Sequence, residues 1–141
     1  MTNKIEKLKC ILLIDDDEAT NFYHQMILED EGIDMHIQSA RSAKEGLDFL
    51  LSKGDFVGYP LPGIIFLDIN MPGMNGWDFL EEYNELSKDI HERSVVTILT
   101  TSDNPDDKER AAKIPIVKEF VHKPLTPEAF WKVAKENFVV N

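Results

Sequence analysis

The stretch that determines the fold reads Ile64-Ile65-Phe66-Leu67-Asp68-Ile69-Asn70-Met71-Pro72-Gly73-Met74-Asn75-Gly76. Its apolar first part is short and continuous, which is typical of a strand that is buried on both faces of a parallel sheet. Asp68 follows that run directly and precedes a turn rich in proline and glycine. Because open parallel sheets bind ligands at the carboxyl ends of their strands, Asp68 is a candidate reactive residue. Taken alone, the stretch fits equally well an aspartate that only caps the next turn.

Other parts of the chain predict four more strands and five helices. Apolar or β-branched runs at 10–14, 35–40, 94–100 and 117–123 indicate the strands. Apolar residues at helical spacing indicate the first three helices: Ala19, Phe22, Tyr23, Met26 and Ile27, then Ala43, Leu47, Leu50 and Leu51, then Trp77, Leu80 and Tyr83. Asn104-Pro105 and Thr126-Pro127 are cap-and-proline pairs that begin a short fourth helix and a fifth, whose buried face is Phe130, Val133, Ala134 and Phe138. Residues 55–63, rich in proline and glycine, predict an exposed loop.

Alternating strands and helices predict an α/β fold with a doubly wound five-stranded parallel sheet. The strand order 2-1-3-4-5 would place the first and third strands side by side at the switch-point crevice. We expect a single domain over residues 1–141, with a core at about 9–138, because the length suits one ordinary domain.

Composition limits the partners and the compartment. The chain carries 26 acidic and 15 basic residues, and the resulting net charge of -11 disfavours binding to nucleic acid or anionic lipid. The single cysteine, Cys10, rules out an intramolecular disulfide and is expected to be a small buried hydrophobe. Residues 1–9 are followed by too few apolar residues for a signal peptide or a membrane span, so we expect a soluble cytoplasmic protein.

Polar side chains stand at the carboxyl ends of four predicted strands: Asp15 and Asp16, Asp68, Thr100 and Lys123. The three carboxylates would face one another, and such a cluster of hard oxygen ligands suits Mg²⁺. The Thr100 hydroxyl and the Lys123 ammonium suit the oxygens of an incoming phosphoryl group. We therefore expect Asp68 to attack a phosphoryl group in line and become an aspartyl phosphate. The alternative, that each residue is a separate cap or surface group, requires four strand ends to coincide by chance.

These residues carry a family resemblance over essentially the whole chain. It rests on Ile14-Asp15-Asp16, the stretch from Leu67 to Gly76, Leu99-Thr100-Thr101-Ser102, Phe120 and Lys123-Pro124. In these features the chain resembles the response-regulator receiver domain, a flavodoxin-like receiver fold of two-component signalling. The resemblance implies that Asp68 accepts a phosphoryl group from a histidine kinase or a histidine phosphotransfer protein.

The resemblance also implies roles for individual residues. Asp16 directly, Asp15 through water and the backbone carbonyl of Asn70 would hold Mg²⁺ beside Asp68. Thr100 would move toward the phosphoryl group, and Phe120 would turn inward and reshape a protein-binding surface formed by the fourth strand, fourth helix and fifth strand. Such a protein is a phosphoacceptor with at most intrinsic autophosphatase activity. An unknown downstream protein would bind according to the phosphorylation state of this chain. The chain itself would be a monomer or a phosphorylation-dependent dimer.

Three alternatives stay open from the sequence. A haloacid-dehalogenase-type phosphatase would need a second acid where Asn70 stands, and a flavodoxin-like nucleotide binder would need a glycine-rich phosphate loop in place of the run Asp15–Glu18. A receiver that works unphosphorylated as a binding platform is the third.

The histidines are not expected to act in catalysis. His24 suits the surface or a docking role, His36 and His91 look exposed, and His122 should point away from Lys123.

Overall fold

The structure, a computed structural model, describes residues 5–140. Its strands are β1 (Cys10–Ile14), β2 (His36–Ala40), β3 (Ile64–Leu67), β4 (Val95–Thr100) and β5 (Val117–His122). All neighbouring strands pair in parallel, and the strand order is β2-β1-β3-β4-β5. The predicted doubly wound sheet with the order 2-1-3-4-5 is therefore confirmed.

Within residues 5–140, six helices cover the sheet: α1 (Glu18–Asp30), α2 (Ala43–Leu50), α3 (Gly76–Asn84), α4 (Lys88–Arg93), α5 (Pro105–Ala112) and α6 (Pro127–Asn137). The prediction of five helices is wrong because it omitted α4. That helix has six residues and buries none of them, so it carries no apolar periodicity. Its N-cap is Ser87, whose hydroxyl accepts a hydrogen bond from the Ile90 amide. The loop predicted at 55–63 overlaps one 3-10 turn at Gly54–Phe56.

Each face of the sheet buries its own hydrophobic layer. One layer joins alternate strand residues to α2, α3 and α5, and it includes Ile14, Leu67, Phe79 and Tyr83. The other joins the remaining strand residues to α1 and α6 through Leu13, Phe66, Leu28 and Phe130. The continuous burial of β1 and β3 explains their uninterrupted apolar sequences.

Helix α1 packs with a different side from the one its apolar spacing suggests. Phe22, Tyr23 and Met26 are exposed, with 66% of Phe22 accessible. The buried residues of α1 are instead Asn21, His24 and Leu28. The spacing located the helix correctly, but the side facing the sheet is largely polar.

Cys10 lies at the start of β1 and is fully buried, as expected of a small hydrophobe. Burial raises the pKa of its thiol to about 12, which makes the thiolate inaccessible at neutral pH. His36 and His91 are partly buried rather than exposed. The ring of His36 lies 4.8 Å from that of Tyr59, and His91 Nε2 is 2.6 Å from the carbonyl oxygen of Tyr83. Among residues 5–140, no helix combines the length and apolar character needed to cross a membrane.

Candidate functional site

The pairing of β1 with β3 brings two aspartates together at the carboxyl edge of the sheet. Ile14 and Leu67 are partners in the register, so Asp15 and Asp68 are the next residues on adjacent strands. The amide of Asp68 donates to Ile14 O at 3.0 Å, and the amide of Asp15 donates to Ala40 O at 3.0 Å. Both carboxylates are thereby fixed at the switch point of the strand order.

Lys123 links these two carboxylates. It directly follows β5, and its amide donates to the carbonyl of Thr100 at 2.8 Å. Its ammonium contacts Asp15 Oδ2 and lies 3.1 Å from Asp68 Oδ2. Asp15 and Asp68 are only 4% and 5% exposed. Within residues 5–140, the Lys123 ammonium therefore compensates the charge of a buried carboxylate pair.

The electrostatics of the site follow from burial and this bridge. Burial raises the pKa of Asp15, although the hydrogen bonds from Lys123 and from the Asp17 amide act in the opposite direction. Burial of Lys123 acts against its charge, but its hydrogen bond to Asp15 and its attraction to Asp68 outweigh that effect and raise its pKa. Lys123 therefore stays protonated at neutral pH.

A third carboxylate, Asp16, lies beside the pair and is exposed. One ligand oxygen from each of Asp15, Asp16 and Asp68 lies within 4.8 Å of the other two. Three carboxylates near a single ammonium leave uncompensated negative charge, and their oxygens are the ligands that Mg²⁺ and similar hard cations prefer. The residues present therefore fit a divalent cation.

Asp17 and the turn after Asp68 have structural roles. The Asp17 side chain accepts a hydrogen bond from Ala19 N at 3.1 Å and caps α1. Asn70 is exposed. Its backbone N–H donates to Asp68 Oδ1 at 3.1 Å, which fixes the second oxygen of the Asp68 carboxylate. Asn75 and Asp78 form a reciprocal capping box that begins α3.

Thr100 is fully buried at the end of β4. Its hydroxyl oxygen accepts a hydrogen bond from Ser102 N at 3.3 Å, and no bond joins it to Asp68 or Lys123 in the described structure. Ser102 Oγ donates to Asp107 Oδ2 at 2.6 Å in the first turn of α5. Phe120 pairs with Ile98 across the sheet and packs, half-buried, against the layer under α5. A continuous path of contacts thus joins the end of β4 to α5.

Sequence reasoning missed Asn21, and the assignment of His24 to the surface is wrong. His24 is 2% exposed, and its Nε2 accepts a hydrogen bond from Leu125 N at 3.3 Å. Asn21 is also buried and donates to the carbonyls of Asp15 and Ala40. Neither residue carried a signal, because the apolar residues of α1 marked the opposite side as the packed one. His122 is exposed, with Nε2 3.1 Å from Asp103 Oδ1, so it points away from the site as predicted.

A parallel sheet in this order, with an acidic pocket and a lysine at its switch point, defines a receiver-like α/β domain. The sequence-family model of the response regulator receiver domain matches residues 11–135 of the chain. Response regulator Rcp1 of Synechocystis sp. is 33% identical over 107 residues, which cover 76% of this chain and 71% of Rcp1. The chain therefore belongs to the response regulator receiver domain family.

Solved structures agree with this assignment. A two component response regulator from Cytophaga hutchinsonii has a TM-score of 0.82 at 31% identity, with 93% of this chain and 97% of that chain covered. The Mn²⁺-bound form of response regulator Rcp1 has a TM-score of 0.72 at 28% identity, with 91% and 90% covered. The flavodoxin-like receiver fold expected from the sequence is thus confirmed.

Proposed function

We propose that this chain is a phosphorylation-dependent switch in which Asp68 accepts a phosphoryl group from a histidine kinase or histidine phosphotransfer protein. The observation that carries the proposal is the ammonium of Lys123 between two buried carboxylates, Asp15 and Asp68, at the switch point of a receiver fold. The family membership supports it as well. On this proposal the chain is a phosphoacceptor, with at most intrinsic autophosphatase activity, rather than an enzyme acting on a separate substrate.

The residues divide the work of the transfer. A carboxylate oxygen of Asp68 forms the new O–P bond while the N–P bond of the donor breaks. The donor imidazole, protonated on its other nitrogen, leaves as a neutral ring. Lys123 stays protonated and offsets charge on the transferred oxygens, and the Asn70 amide keeps the Asp68 carboxylate oriented.

A divalent cation, Mg²⁺ in the cell, is part of the proposal. Asp15, Asp16 and Asp68 would hold it together with the backbone carbonyl of Asn70. When bound there, it would supply positive charge that offsets the charge of the phosphoryl oxygens. The Mn²⁺-bound state of Rcp1 and the grouping of the three carboxylates support this site.

The response to phosphorylation is proposed to run through Thr100 and Phe120. Thr100 Oγ1 would leave its bond with Ser102 N and approach the phosphoryl group, and Phe120 would turn inward. The surface of β4, α5 and β5 would then change for an unknown downstream protein. Partners other than protein are disfavoured by the net charge of -11, and a monomer or a phosphorylation-dependent dimer is expected in the cytoplasm.

We also propose that residues 1–141 act as one receiver domain with a core at about 9–138; residues 1–4 and 141 lie outside the described residues. Family membership favours this receiver reading over the haloacid-dehalogenase-type phosphatase. The unphosphorylated binding platform is separated from the proposal by experiment.

The test is intact mass spectrometry after incubation with Mg²⁺ and acetyl phosphate. We expect one phosphoryl adduct on the wild type and none on Asp68→Asn, whose side chain is nearly isosteric. An adduct that persists in Asp68→Asn would falsify the assignment of the acceptor. The absence of any adduct on the folded wild type would favour the binding platform.

A further inference from the structure

The inward side of α1 carries two polar residues where apolar ones are usual. Asn21 and His24 lie three positions apart and are 3% and 2% exposed. Such spacing places both side chains on one side of the helix. Because a buried polar group is costly without a partner, the contacts of these two residues indicate what this side of α1 holds.

Asn21 holds the strand ends beside the acceptor. Its Nδ2 donates to the carbonyl oxygens of Asp15 at 2.9 Å and of Ala40 at 3.3 Å. The bonds join α1 to the carboxyl ends of β1 and β2. The loop that carries Asp15 is thereby attached to the helix that follows it.

His24 holds the other side of the site. Its Nε2 accepts a hydrogen bond from the amide of Leu125, which lies two residues after Lys123 and is buried. An accepting Nε2 requires a neutral ring with its proton on Nδ1. Burial, with a smaller effect of the Lys123 charge, lowers the pKa of His24 to about 4, so the ring stays neutral at physiological pH.

The segment 123–125 is therefore fixed at both ends. The Lys123 amide bonds to Thr100 O on the β4 side, and the Leu125 amide bonds to His24 on the α1 side. His24 also lines a small cavity together with Asp15, Asn21 and Asp68, which places it directly behind the acidic pair. A displacement at Leu125 would move the backbone from which the Lys123 side chain extends.

We propose that His24 is a positioning residue: through the Leu125 amide it holds the turn that places the Lys123 ammonium between Asp15 and Asp68. The placement of Lys123 does not depend on phosphorylation, and only the rate measurement below rests on the proposed function. The required feature is a hydrogen-bond acceptor at the position of Nε2. Glutamine can supply that acceptor, whereas methionine has a similar shape and supplies only a weak one.

The direct test is the ¹H–¹⁵N spectrum of lysine side chains in the metal-free protein. We expect a slowly exchanging ammonium signal for Lys123, assigned by its loss in Lys123→Arg. His24→Gln should retain this signal, and His24→Met should lose or broaden it. If His24→Met does not fold, His24→Asn replaces it, because the shorter amide does not reach Leu125. A normal Lys123 signal in a folded His24→Met or His24→Asn would overturn the proposal.

The control for general destabilisation is Leu28→Ala, one turn further along the same side of α1 and fully buried. It removes apolar packing but none of the hydrogen bonds made to residues 123–125, so the Lys123 signal should persist. Loss of the signal in Leu28→Ala would also overturn the proposal, because the effect would then be one of stability.

The second readout is the rate of phosphorylation by acetyl phosphate with Mg²⁺. His24→Met should slow it roughly three- to tenfold, because the Lys123 ammonium is displaced while Asp15, Asp16 and Asp68 stay in place. His24→Gln should restore the rate, and equal rates in the two variants would contradict the positioning role. If the wild type itself is not phosphorylated, the proposed function fails, while the lysine spectrum still decides the role of His24.

Discussion

The pair of buried carboxylates at the carboxyl edge depends on one residue, Lys123. Asp15 and Asp68 would each be costly to bury alone, and their closeness adds repulsion. Lys123 compensates both, with only 14% of its side chain exposed. At the residue scale, the bridge therefore stabilises the metal-free fold and fixes the position of the Lys123 ammonium beside Asp68.

We predict that the Lys123→Ala variant has a lower melting temperature than the wild type in the absence of metal. Added Mg²⁺ should raise the melting temperature of the variant by more than it raises that of the wild type. Loss of the cation leaves two buried carboxylates uncompensated, a loss on the order of 3 kcal/mol in the free energy of unfolding. Added Mg²⁺ should restore part of the lost free energy of unfolding, because the carboxylates that would bind the cation remain. Beryllofluoride should nevertheless produce no conformational response in this variant. Thermal unfolding with and without Mg²⁺ measures the first effect.

The control for that variant is Lys132→Ala, which removes an exposed pair with Glu119 on the protein surface. Exposed ion pairs contribute little, so its melting temperature should stay close to that of the wild type. Equal losses in the two variants would contradict the special role of Lys123.

His24 should give the fold a specific dependence on pH. Its pKa is about 4 in the folded chain, below the value of 6.5 in the unfolded chain. Between these values the unfolded chain binds a proton that the folded chain does not, so stability falls as pH drops from 6.5 toward 4. The expected slope is up to about 1.4 kcal/mol per pH unit from this residue.

Urea denaturation of the wild type and His24→Gln at pH 7, 5.5 and 4.5 measures this contribution. Because the carboxylates titrate in both proteins, the informative quantity is the difference between the two free energies of unfolding. The free energy of unfolding should decrease more steeply with falling pH in the wild type than in His24→Gln. A difference that stays constant over this range would be inconsistent with a buried neutral His24.

At the scale of elements, α3 is packed directly on the loop that follows Asp68, residues 69–75. Gly76 begins the helix, and a Cβ there would lie 2.6 Å from the Ile69 Cα and 2.7 Å from the Asp68 carbonyl oxygen. Both neighbours are backbone atoms, which cannot rotate away. The glycine thus allows the helix to approach the backbone of Asp68 and Ile69.

We predict that Gly76→Ala destabilises the protein by about 1–3 kcal/mol or more and slows phosphorylation, because α3 must move away from the backbone of Asp68 and Ile69. Gly73→Ala is the matched control in the same loop. Gly73 has a φ of +71°, but no atom lies within 4 Å of an added Cβ, so only backbone strain of about 1 kcal/mol is expected. Chemical denaturation and acetyl phosphate kinetics should rank the two variants in that order.

Helix α5 is linked to both the site and α3. In its first turn, the Asp107 carboxylate accepts a hydrogen bond from the Ser102 hydroxyl. Further along the helix, the Arg110 guanidinium lies 4.3 Å from the centre of the Trp77 ring. Movement of Thr100 would disturb the bond to Ser102 N and, through Ser102, the start of α5. Trp77 is therefore placed to report a shift of α5 against α3.

We predict that beryllofluoride with Mg²⁺ changes the fluorescence of Trp77 in a Trp131→Phe background, where it is the remaining tryptophan. Arg110→Ala should reduce the change, since the cation over the ring is what moves. Asp68→Asn in the same background should abolish it. A change that is identical in Asp68→Asn would indicate that the signal does not come from the acceptor site.

At the scale of the whole molecule, most of the sheet could be predicted because β1, β3 and β4 are largely buried on both faces and read as apolar runs. The site could be predicted in outline because parallel strands bring Asp15, Asp68 and Lys123 to one edge. Helix α4 could not be, since none of its six residues is fully buried and they show no apolar periodicity. The packed side of α1 could not be either, because Asn21 and His24 are bonded to groups distant in sequence that only the tertiary fold brings near.

The most direct measurement of the central claim identifies which carboxylate carries the phosphoryl group. Borohydride reduces an acyl phosphate of aspartate to homoserine, and peptide mass spectrometry then locates the altered residue. After treatment with acetyl phosphate and Mg²⁺, we expect homoserine at position 68 alone, and none when Mg²⁺ is replaced by a chelator. Homoserine at position 15 or 16, or at no position in a folded protein, would contradict the claim.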